Sequence, residues 1–429
     1  MVVDMAQARM RGFKQTIRAE QALKTFLEHL RPRPLESERV PLDEALGRVL
    51  AKDIASHIDI PSFDRAAMDG FAVVAEDTFG SLQTNPALLR VVGKIVTGIS
   101  PTLKIKKGEA AEITTGAALP PGANAVVMLE YVRRVDSKQI EVLGPVTPSE
   151  NVSRAGEDVR QGDIVLRQGT RLGPPDVGML AALMLSEVEV VCRPRVAILC
   201  TGSELVELGD SPQQGKIVNT NRFVLSALVR ELGGTVTYLG IAKDSVGDIS
   251  GFMKKGLAEA DVVLVTGGTS VGETDFVPEA IRLLGEPGML VHGISMRPGM
   301  PTGLAVVNGK AVVSLSGQPV AATIGFKKFV RPIMLRLLGT EEELPVSVRA
   351  KVSRRVASTL GMKTFLRVTV VETDGGYIAD PVATSGSGLL SSMTQANGIV
   401  VIPEDKEGIE AGEEVAVELF RPIERRGHG

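Results

Sequence analysis

A mostly parallel α/β sheet accompanied by β-rich modules is the fold class this sequence predicts, and three patterns carry that expectation. Strand-like and helix-like apolar runs alternate from residue 196 to about 338, as in a parallel sheet covered on both faces. Short period-two runs separated by turn residues fill 52–147, the pattern of a small β-rich domain. Period two returns beyond Pro345, and the remaining length, roughly 80 residues, suits a small β-barrel or sandwich.

In chain order, Ile17, Leu23, Phe26, Leu27 and Leu30 recur mostly every three or four positions, so 16–30 reads as an amphipathic helix. Arg31-Pro32-Arg33-Pro34 stops it. A second short helix is expected over 42–50, behind Pro41. The β-rich stretch follows, with runs at 71–74, 88–92 and 125–132. Between 148 and 191 a Gly-punctuated stretch leads to a helix over 176–185, behind Pro174-Pro175. If that segment packs back on the N-terminal helices, the β-rich part is an insertion.

Arg193-Pro194-Arg195 marks the next boundary. Strands are expected at 196–199, 235–241, 262–265 and 311–315, and helices at 221–232, 247–260, 277–284 and from about 320 to 338. Gly233-Gly234 closes the first of these helices. Beyond Pro345, alternation at Val346, Val348 and Ala350, then over 365–371 and 399–401, surrounds Asp374-Gly375-Gly376, a hairpin signal. The expected division is 1–50 with 148–192 as a discontinuous, mixed N-terminal domain, 51–147 as the inserted β-rich domain, 193–340 as the α/β domain and 341–429 as the C-terminal β-barrel.

Bulk composition removes several function classes. A chain of 429 residues is too long for one core. Net charge is −3 and aromatics are 3%, without Trp, which argues against a general nucleic-acid binder and its stacking platforms. Cys192 and Cys200 form no C-x-x-C pair and fit a reducing compartment; Cys200, in an apolar strand, reads as packing. His29, His57, His292 and His428 lack metal-ligand spacing, so zinc hydrolysis and His-based triads are weak readings. No apolar stretch approaches the roughly 20 residues of a membrane helix, and charges interrupt the first 21 residues, so a cytoplasmic location is expected.

The chemistry concentrates at strand ends, where open parallel sheets take their ligands. Val262-Val263-Leu264-Val265 runs into Gly267-Gly268-Thr269-Ser270-Val271-Gly272, followed by Glu273 and Asp275. Gly267-x4-Gly272 has the spacing of a phosphate-binding P-loop, yet the next residue is Glu273 where an NTPase needs Lys. The loop therefore reads as a phosphate cradle working with carboxylates through a divalent cation. Thr201-Gly202-Ser203-Glu204 and Lys243-Asp244-Ser245 follow two further strands. A fourth loop, Ser314-Leu315-Ser316-Gly317-Gln318-Pro319, precedes a helix. Acids and glycines on several strand ends make the composition of a Mg²⁺-plus-phosphate site, since Mg²⁺ prefers carboxylate, water and phosphate oxygen. Each acid taken singly could instead cap a helix or solvate a loop, and the glycines could serve a tight turn.

Phe63-Asp64-Arg65-Ala66-Ala67-Met68-Asp69-Gly70-Phe71-Ala72 closely resembles the D-x-S-A-M-D-G-Y-A signature of the MoeA family of molybdopterin molybdenumtransferases, which includes the gephyrin E domains. Thr114-Thr115-Gly116, Ala125-Val126-Val127-Met128-Leu129-Glu130, Thr201-Gly202-Ser203-Glu204-Leu205 and Gly267-Gly268-Thr269-Ser270-Val271-Gly272 match that family in order. The resemblance spans nearly the whole chain after about residue 18. It implies the four-part architecture, with a MogA-like α/β domain, and an elongated homodimer whose cleft combines parts of both subunits.

It also implies the reaction. Molybdate, or tungstate, enters the dithiolene of adenylylated molybdopterin, and AMP leaves with Mg²⁺ assistance. Glu204 and Asp275 would hold the cation or its waters, with Asp244 close by. Thr201, Gly202 and Ser203, with Gly267, Gly268, Thr269, Ser270 and Gly272, would line the phosphate and pterin site. Asp64 and Thr115, from the partner subunit, would position the pterin or assist the chemistry. Arg297 and Pro298, then Ser316, Gly317 and Pro319, lie on the loops that face the anion, and Arg367 with Ser387 resembles the family's molybdate-contacting pair. Partners implied are a second copy, the pterin and oxyanion, and other cofactor-biosynthesis proteins, with neither nucleic acid nor membrane.

Two loops depart from the family. Its K-P-G-K-P is Arg297-Pro298-Gly299-Met300-Pro301 here, which loses one charge at Met300, and its P-G-N-P is Ser316-Gly317-Gln318-Pro319. A non-catalytic scaffold or an oxyanion- or pterin-binding paralogue is the alternative reading. It predicts broken acids at Glu204, Asp244 or Asp275, and all three are retained.

Overall fold

The computed structural model describes residues 16–210, 214–268, 276–341, 345–383 and 386–425. The chain forms two compact units, one of Arg39–Leu46 with Leu50–Val190 and the other of the remainder. No helix among the described residues is long and apolar enough to cross a membrane.

The smaller unit is built on a six-stranded sheet in the order Ala125–Met128, Gly70–Val73, Glu109–Ile113, Ala87–Ile95, Gln139–Val142, Val132–Arg134. All neighbours are antiparallel except the pair Ala87–Ile95 and Glu109–Ile113. Side chains alternate across a strand, so each face gathers its own core. Phe71, Val73, Ala125 and Val127 enter one cluster while Ala72 and Val126 enter the other. Both faces are thus covered, which explains the short apolar runs. A third core in this unit joins Val40, Ala45, Leu50 and Ile54 to Leu172, Leu180, Leu183 and Val190, the middle two of these four lying on or beside the helix Pro174–Ala182.

The helix expected over 42–50 is a single 3₁₀ turn, Leu42–Glu44. Gly47 follows at φ 73°, in the left-handed region, which breaks the helical path that Leu42, Leu46 and Leu50 advertise.

In the larger unit six strands follow the order Thr235–Ala242, Arg195–Thr201, Val262–Thr266, Lys310–Leu315, Gly303–Val307, Pro287–His292. The first four are parallel neighbours; Gly303–Val307 runs against the strands on either side of it. The sheet is mostly parallel, as expected, but the antiparallel pair at its edge was not foreseen. Its two strands are short, and a register shift between Met289 and Val291 blurs the alternation of one.

Alternation sorts the helices onto faces. Val196, Ile198, Cys200, Val262 and Leu264 pack with Leu225 and Val229 of Thr220–Glu231 and with Ala22 and Phe26 of Ala19–Leu30. Ala197, Leu199, Val263 and Val265 pack with Ile249 and Met253 of Val246–Glu259 and with Val277 and Ile281 of Phe276–Arg282. Ala19–Leu30 therefore shares a core with the α/β sheet, whereas residues 40–54 contribute to the core of the smaller unit. The run expected over 320–338 is helical throughout but changes pitch: Pro319–Gly325 is α, Phe326–Val330 is π and Arg331–Leu337 is α again.

The C-terminal strands close on themselves. Lys363–Thr373 pairs with Gly376–Ala383, which pairs with Ser347–Val352, then Glu414–Leu419, then Gly398–Ile402, which returns to Lys363–Thr373. The expected hairpin turns at Asp374-Gly375, with Thr373 opposite Gly376. This five-stranded barrel encloses Ala350, Val352, Leu366, Val368, Val370, Ala379, Val400 and Val417. Met296 and Arg297 add to it outside the ring, in register with Lys363 and Thr364.

Candidate active site

Three parallel strands of the larger unit end side by side, with Cys200 opposite Thr266 and Thr266 opposite Leu315. The residues just beyond form a crowded corner. Gly267 and Gly268 hold φ of 87° and 62°, where a side chain is strained. A Cβ on Gly267 would lie 2.2 Å from the Thr201 carbonyl oxygen, and one on Gly317 would lie 3.5 Å from Gly267 Cα. The Gly267 amide donates to Leu315 O at 3.2 Å. At Gly267 only glycine lets the backbones approach so closely, whereas a side chain on Gly317 would make ordinary contact.

The start of Thr220–Glu231 leans on the same corner. Its cap, Asn219, accepts from the Arg222 amide, and Asn221 Nδ2 donates to Gly317 O at 2.8 Å. Thr201 is 2% exposed and Asn221 is 5% exposed. Thr201 Oγ1, Asn221 Oδ1 and, two strands over from Thr201, Ser314 Oγ are nevertheless buried with no hydrogen-bond partner among the described residues. Buried polar atoms are normally paired, so unpaired ones grouped at strand ends mark a place for a polar ligand.

Two acids stand at the rim. Gly202 takes φ 147°, and a Cβ there would meet the Glu204 carboxylate at 2.6 Å, so this carboxylate folds back over the strand end. Asp244, beyond the neighbouring strand, accepts from the Ser203 amide at 3.0 Å. That bond ties the two strand ends together. Lys216 Nζ donates to the Ser203 carbonyl and so places a cation at the same loop. Asp275, Thr269, Ser270 and Gly272 lie outside the described residues. Among the described residues no group of three or more His, Cys, Asp or Glu could hold a metal ion. Mg²⁺ needs only one or two carboxylates when phosphate and water complete its shell, so Glu204 has the donor chemistry that such an ion requires.

The two loops that depart from the family pattern, 297–301 and 316–319, also belong to this unit. Thr302 Oγ1 donates to Gly299 O at 2.7 Å, and a Cβ on Gly299 would lie 3.6 Å from Ala321 O, so the Arg297-Pro298-Gly299 turn rests against Pro319–Gly325. The Val320 amide donates to Ser387 O at 3.1 Å, which sets the Ser387 loop beside Pro319. Arg297 is exposed and Met300 half-buried. Arg367 is 4% exposed, and burial lowers its pKa. It alternates with barrel-core residues Leu366 and Val368, so it points to the Phe365 side of its strand.

Asp64 and Thr115 stand in the smaller unit, on two loops zipped together by main-chain bonds. Leu119 N donates to Asp64 O at 2.8 Å, and Gly116 N donates to Ala66 O at 2.8 Å. Asp64 Oδ1 accepts from the Ala155 amide at 2.8 Å. Thr115 gives both its amide, at 2.7 Å, and its hydroxyl, at 2.9 Å, to Asp69 Oδ1. These bonds, the amide first, hold the Asp69 carboxyl below its ordinary pKa. Arg65 lines an open cleft with Ile60, Pro61, Ser153, Glu157 and Asp158.

The structure thus brings Thr201, Gly202, Ser203, Glu204, Asp244, Gly267, Gly268, Ser316 and Gly317 to neighbouring strand ends of one sheet, and Pro319 and Ser387 to one helix start. Sequence reasoning passed over Asn221 and Asp69. Asn219-Thr220-Asn221, a polar triplet opening an apolar helix after a strand, was the available signal for the first. Asp69 was quoted within its motif, but its bond to Thr115 spans 46 residues and leaves no trace in spacing.

Comparisons with known proteins cover almost the whole chain. Residues 17–183 match the MoeA N-terminal region (domains I and II), 197–336 a probable molybdopterin binding domain, and 349–420 the MoeA C-terminal region (domain IV). A putative molybdopterin biosynthesis protein of Methanocaldococcus jannaschii is 40% identical over 392 residues, covering 90% of this chain and 92% of its own. The molybdopterin molybdenumtransferase of Bacillus subtilis is 34% identical over 389 residues, covering 90% of each. A crystal structure of the molybdopterin biosynthesis MoeA protein of Pyrococcus horikoshii superposes with a TM-score of 0.82 at 37% identity, over 95% of this chain and 100% of that one.

Proposed function

Because the chain belongs to the MoeA family, with its multidomain fold, we propose that it is a transferase acting in molybdenum cofactor biosynthesis. The specific step is Mg²⁺-dependent insertion of molybdate, or tungstate, into adenylylated molybdopterin with release of AMP. One observation carries this reading: Glu204 and Asp244 flank a corner of close-packed glycines and unpaired buried polar atoms at the carboxyl ends of parallel strands. Open α/β sheets take phosphate-bearing ligands there.

In this reading Glu204 and Asp275 hold Mg²⁺, and the cation supplies charge neutralisation at the phosphoanhydride when bound. The Ser203 amide keeps Asp244 at the strand end, where it orients water or the departing phosphate. Gly267 and Gly268 allow the substrate phosphates to come against backbone N–H groups, continued by residues 269–272. Arg297, Ser387 and Arg367 serve the tetrahedral oxyanion, for which a guanidinium offers a two-pronged donor. Asp64 and Thr115 position the pterin ring, contributed by the second subunit of a homodimer. The same reading divides the chain into 1–50 with 148–192, 51–147, 193–340 and 341–429.

The test is to mix purified protein with adenylylated molybdopterin and molybdate and to measure AMP with and without Mg²⁺. AMP release that needs both ions is expected. A protein that releases no AMP and binds neither molybdate nor tungstate by calorimetry overturns the reading. Met300→Lys, which adds a cation to the anion-facing loop, is expected to tighten molybdate binding a few-fold, on the order of one surface ion pair.

A further inference from the structure

We propose that Asn221 reads a hydrogen-bond donor on the substrate, the N–H or amino edge of a purine- or pterin-like ring, from inside the glycine corner. The inference rests on the transferase reading and names which end of the ligand this corner recognises.

The orientation of the side-chain amide decides the sign. Asn221 Nδ2 lies 2.8 Å from the Gly317 carbonyl, and a flipped amide would set two acceptors face to face. The unpaired atom is therefore Oδ1, an acceptor without hydrogens of its own, on a residue 5% exposed. Phosphate oxygens at neutral pH are acceptors as well and cannot pair with it. Thr201 Oγ1, unpaired in the same corner, can donate or accept and so fits either partner. Asn221 alone fixes what must come: a group that donates. An adenylylated pterin carries such donors only on its rings and sugar, not along its phosphates.

The surroundings hold this acceptor in place before any ligand arrives. Asn219 caps the helix by accepting from the Arg222 amide at 3.2 Å, and its Nδ2 donates to Tyr238 Oη at 3.0 Å. Tyr238 in turn donates to Glu207 Oε1 at 2.5 Å, while Arg222 donates to Glu207 Oε2 at 3.0 Å and lies 4.2 Å from the centre of the Tyr238 ring. Burial, with the Glu207 carboxylate, raises the Tyr238 pKa and keeps the phenol a donor. This network fixes the helix start that carries Asn221, and the bond from Asn221 Nδ2 to Gly317 O holds the side chain itself, so it loses little freedom on binding, which is the condition for a specificity contact.

The test titrates wild type and Asn221→Ala with AMP, with molybdopterin and with inorganic pyrophosphate, each in the presence of Mg²⁺. Asn221→Ala is expected to weaken one ring-bearing ligand about tenfold, about 1.4 kcal/mol, while pyrophosphate changes less than about twofold. Loss in the AMP arm places the contact on the nucleoside, where purine riboside 5′-monophosphate, lacking the amino group, separates ring from sugar, and loss in the molybdopterin arm assigns the pterin. Equal weakening of all three ligands, or no weakening of either ring, overturns the proposal. If the variant does not fold, wild type is given altered ligands: purine riboside 5′-monophosphate against AMP, and both lumazine, lacking the amino group, and 3-methylpterin, lacking the ring N–H, against pterin. A loss in one pair supports the contact, and equal affinity within all three pairs overturns it. Wild type that binds neither AMP nor molybdopterin brings down the transferase reading too, whereas wild-type binding matched by the variant brings down this inference alone.

Discussion

In the smaller unit one oxygen of Asp69 accepts both the amide and the hydroxyl of Thr115, while at the strand ends of the larger unit Thr201 Oγ1 and Asn221 Oδ1 are buried with no partner among the described residues. Both regions carry residues of the family motifs, yet they treat polarity in opposite ways. The paired loops around Asp64 and Thr115 are closed circuits whose hydrogen bonds are made internally, at the surface, where water could replace any that broke. The glycine corner instead leaves buried polar atoms unpaired among the described residues. An unpaired buried polar atom costs about 1–3 kcal/mol, so the corner holds back stability that a ligand restores on binding. In the proposed reading the two regions work differently: one holds Asp64 and Thr115 in a pose fixed in advance, the other is completed by its ligand.

The strongest way to break that contrast is steric. Gly267→Ala would press a methyl group to 2.2 Å from Thr201 O at φ 87°, whereas Gly116→Ala, at φ 81°, would meet nothing nearer than 3.7 Å. Backbone strain alone, about 1–2 kcal/mol, is expected for Gly116→Ala, and about 3 kcal/mol or more for Gly267→Ala, where overpacking adds to it. Chemical denaturation measures both, and equal losses would mean that the corner is no tighter than an open turn. Next in size, Glu204→Gln is expected to lower AMP release about a hundredfold, about 2.7 kcal/mol, with more Mg²⁺ needed for half-maximal rate. An unchanged rate would move the cation site elsewhere.

Smaller effects sharpen the comparison. Asn219→Ala removes a helix cap and should cost about 1 kcal/mol in denaturation, together with weaker substrate binding because Asn221 is carried by the same helix start. Smallest is the pH response of the saturated loops. The Asp69 pKa is depressed in the folded chain, first by the Thr115 amide and then by the Thr115 hydroxyl. A depressed carboxyl adds stability above its unfolded pKa and loses it as pH falls through the folded value. The Thr115 clamp should therefore be intact at neutral pH and open only in acid, below the ordinary carboxylate range. Amide exchange at Thr115 reports this, and Asp69→Asn should abolish its acid dependence while leaving the glycine corner unchanged.

Much of the architecture was legible because the buried strands advertise it. Val262, Val263, Leu264 and Val265 are apolar without a break since alternate members face two separate cores, and such a run between helices means a covered sheet. The barrel was legible from alternation at Val346, Val348 and Ala350 and from the Asp374-Gly375-Gly376 turn. The helix expected over 42–50 went astray because leucines at helical spacing do not reveal that Gly47 turns left-handed. The π-turn at Phe326–Val330 left the apolar pattern intact and so stayed hidden. At the candidate site the glycines and acids were legible by type, but the roles of Asn221 and Asp69 were not, since a hydrogen bond across 96 or 46 residues is written only in three dimensions. Asp275 falls outside the described residues, and its role rests on the family motif.

The strand Lys363–Thr373 has one more consequence. It pairs with two barrel neighbours along its length, with Met296 and Arg297 at one end, and with residues 424 and 425 at the other. Four pairings read the same stretch of backbone, so deleting one residue there would put every partner out of step at once. As lineages of this fold diverge, length changes should collect in the turns that flank this strand and be purged from the strand itself. Its eleven residues are a ruler against which the Met296–Arg297 segment and the barrel are both cut.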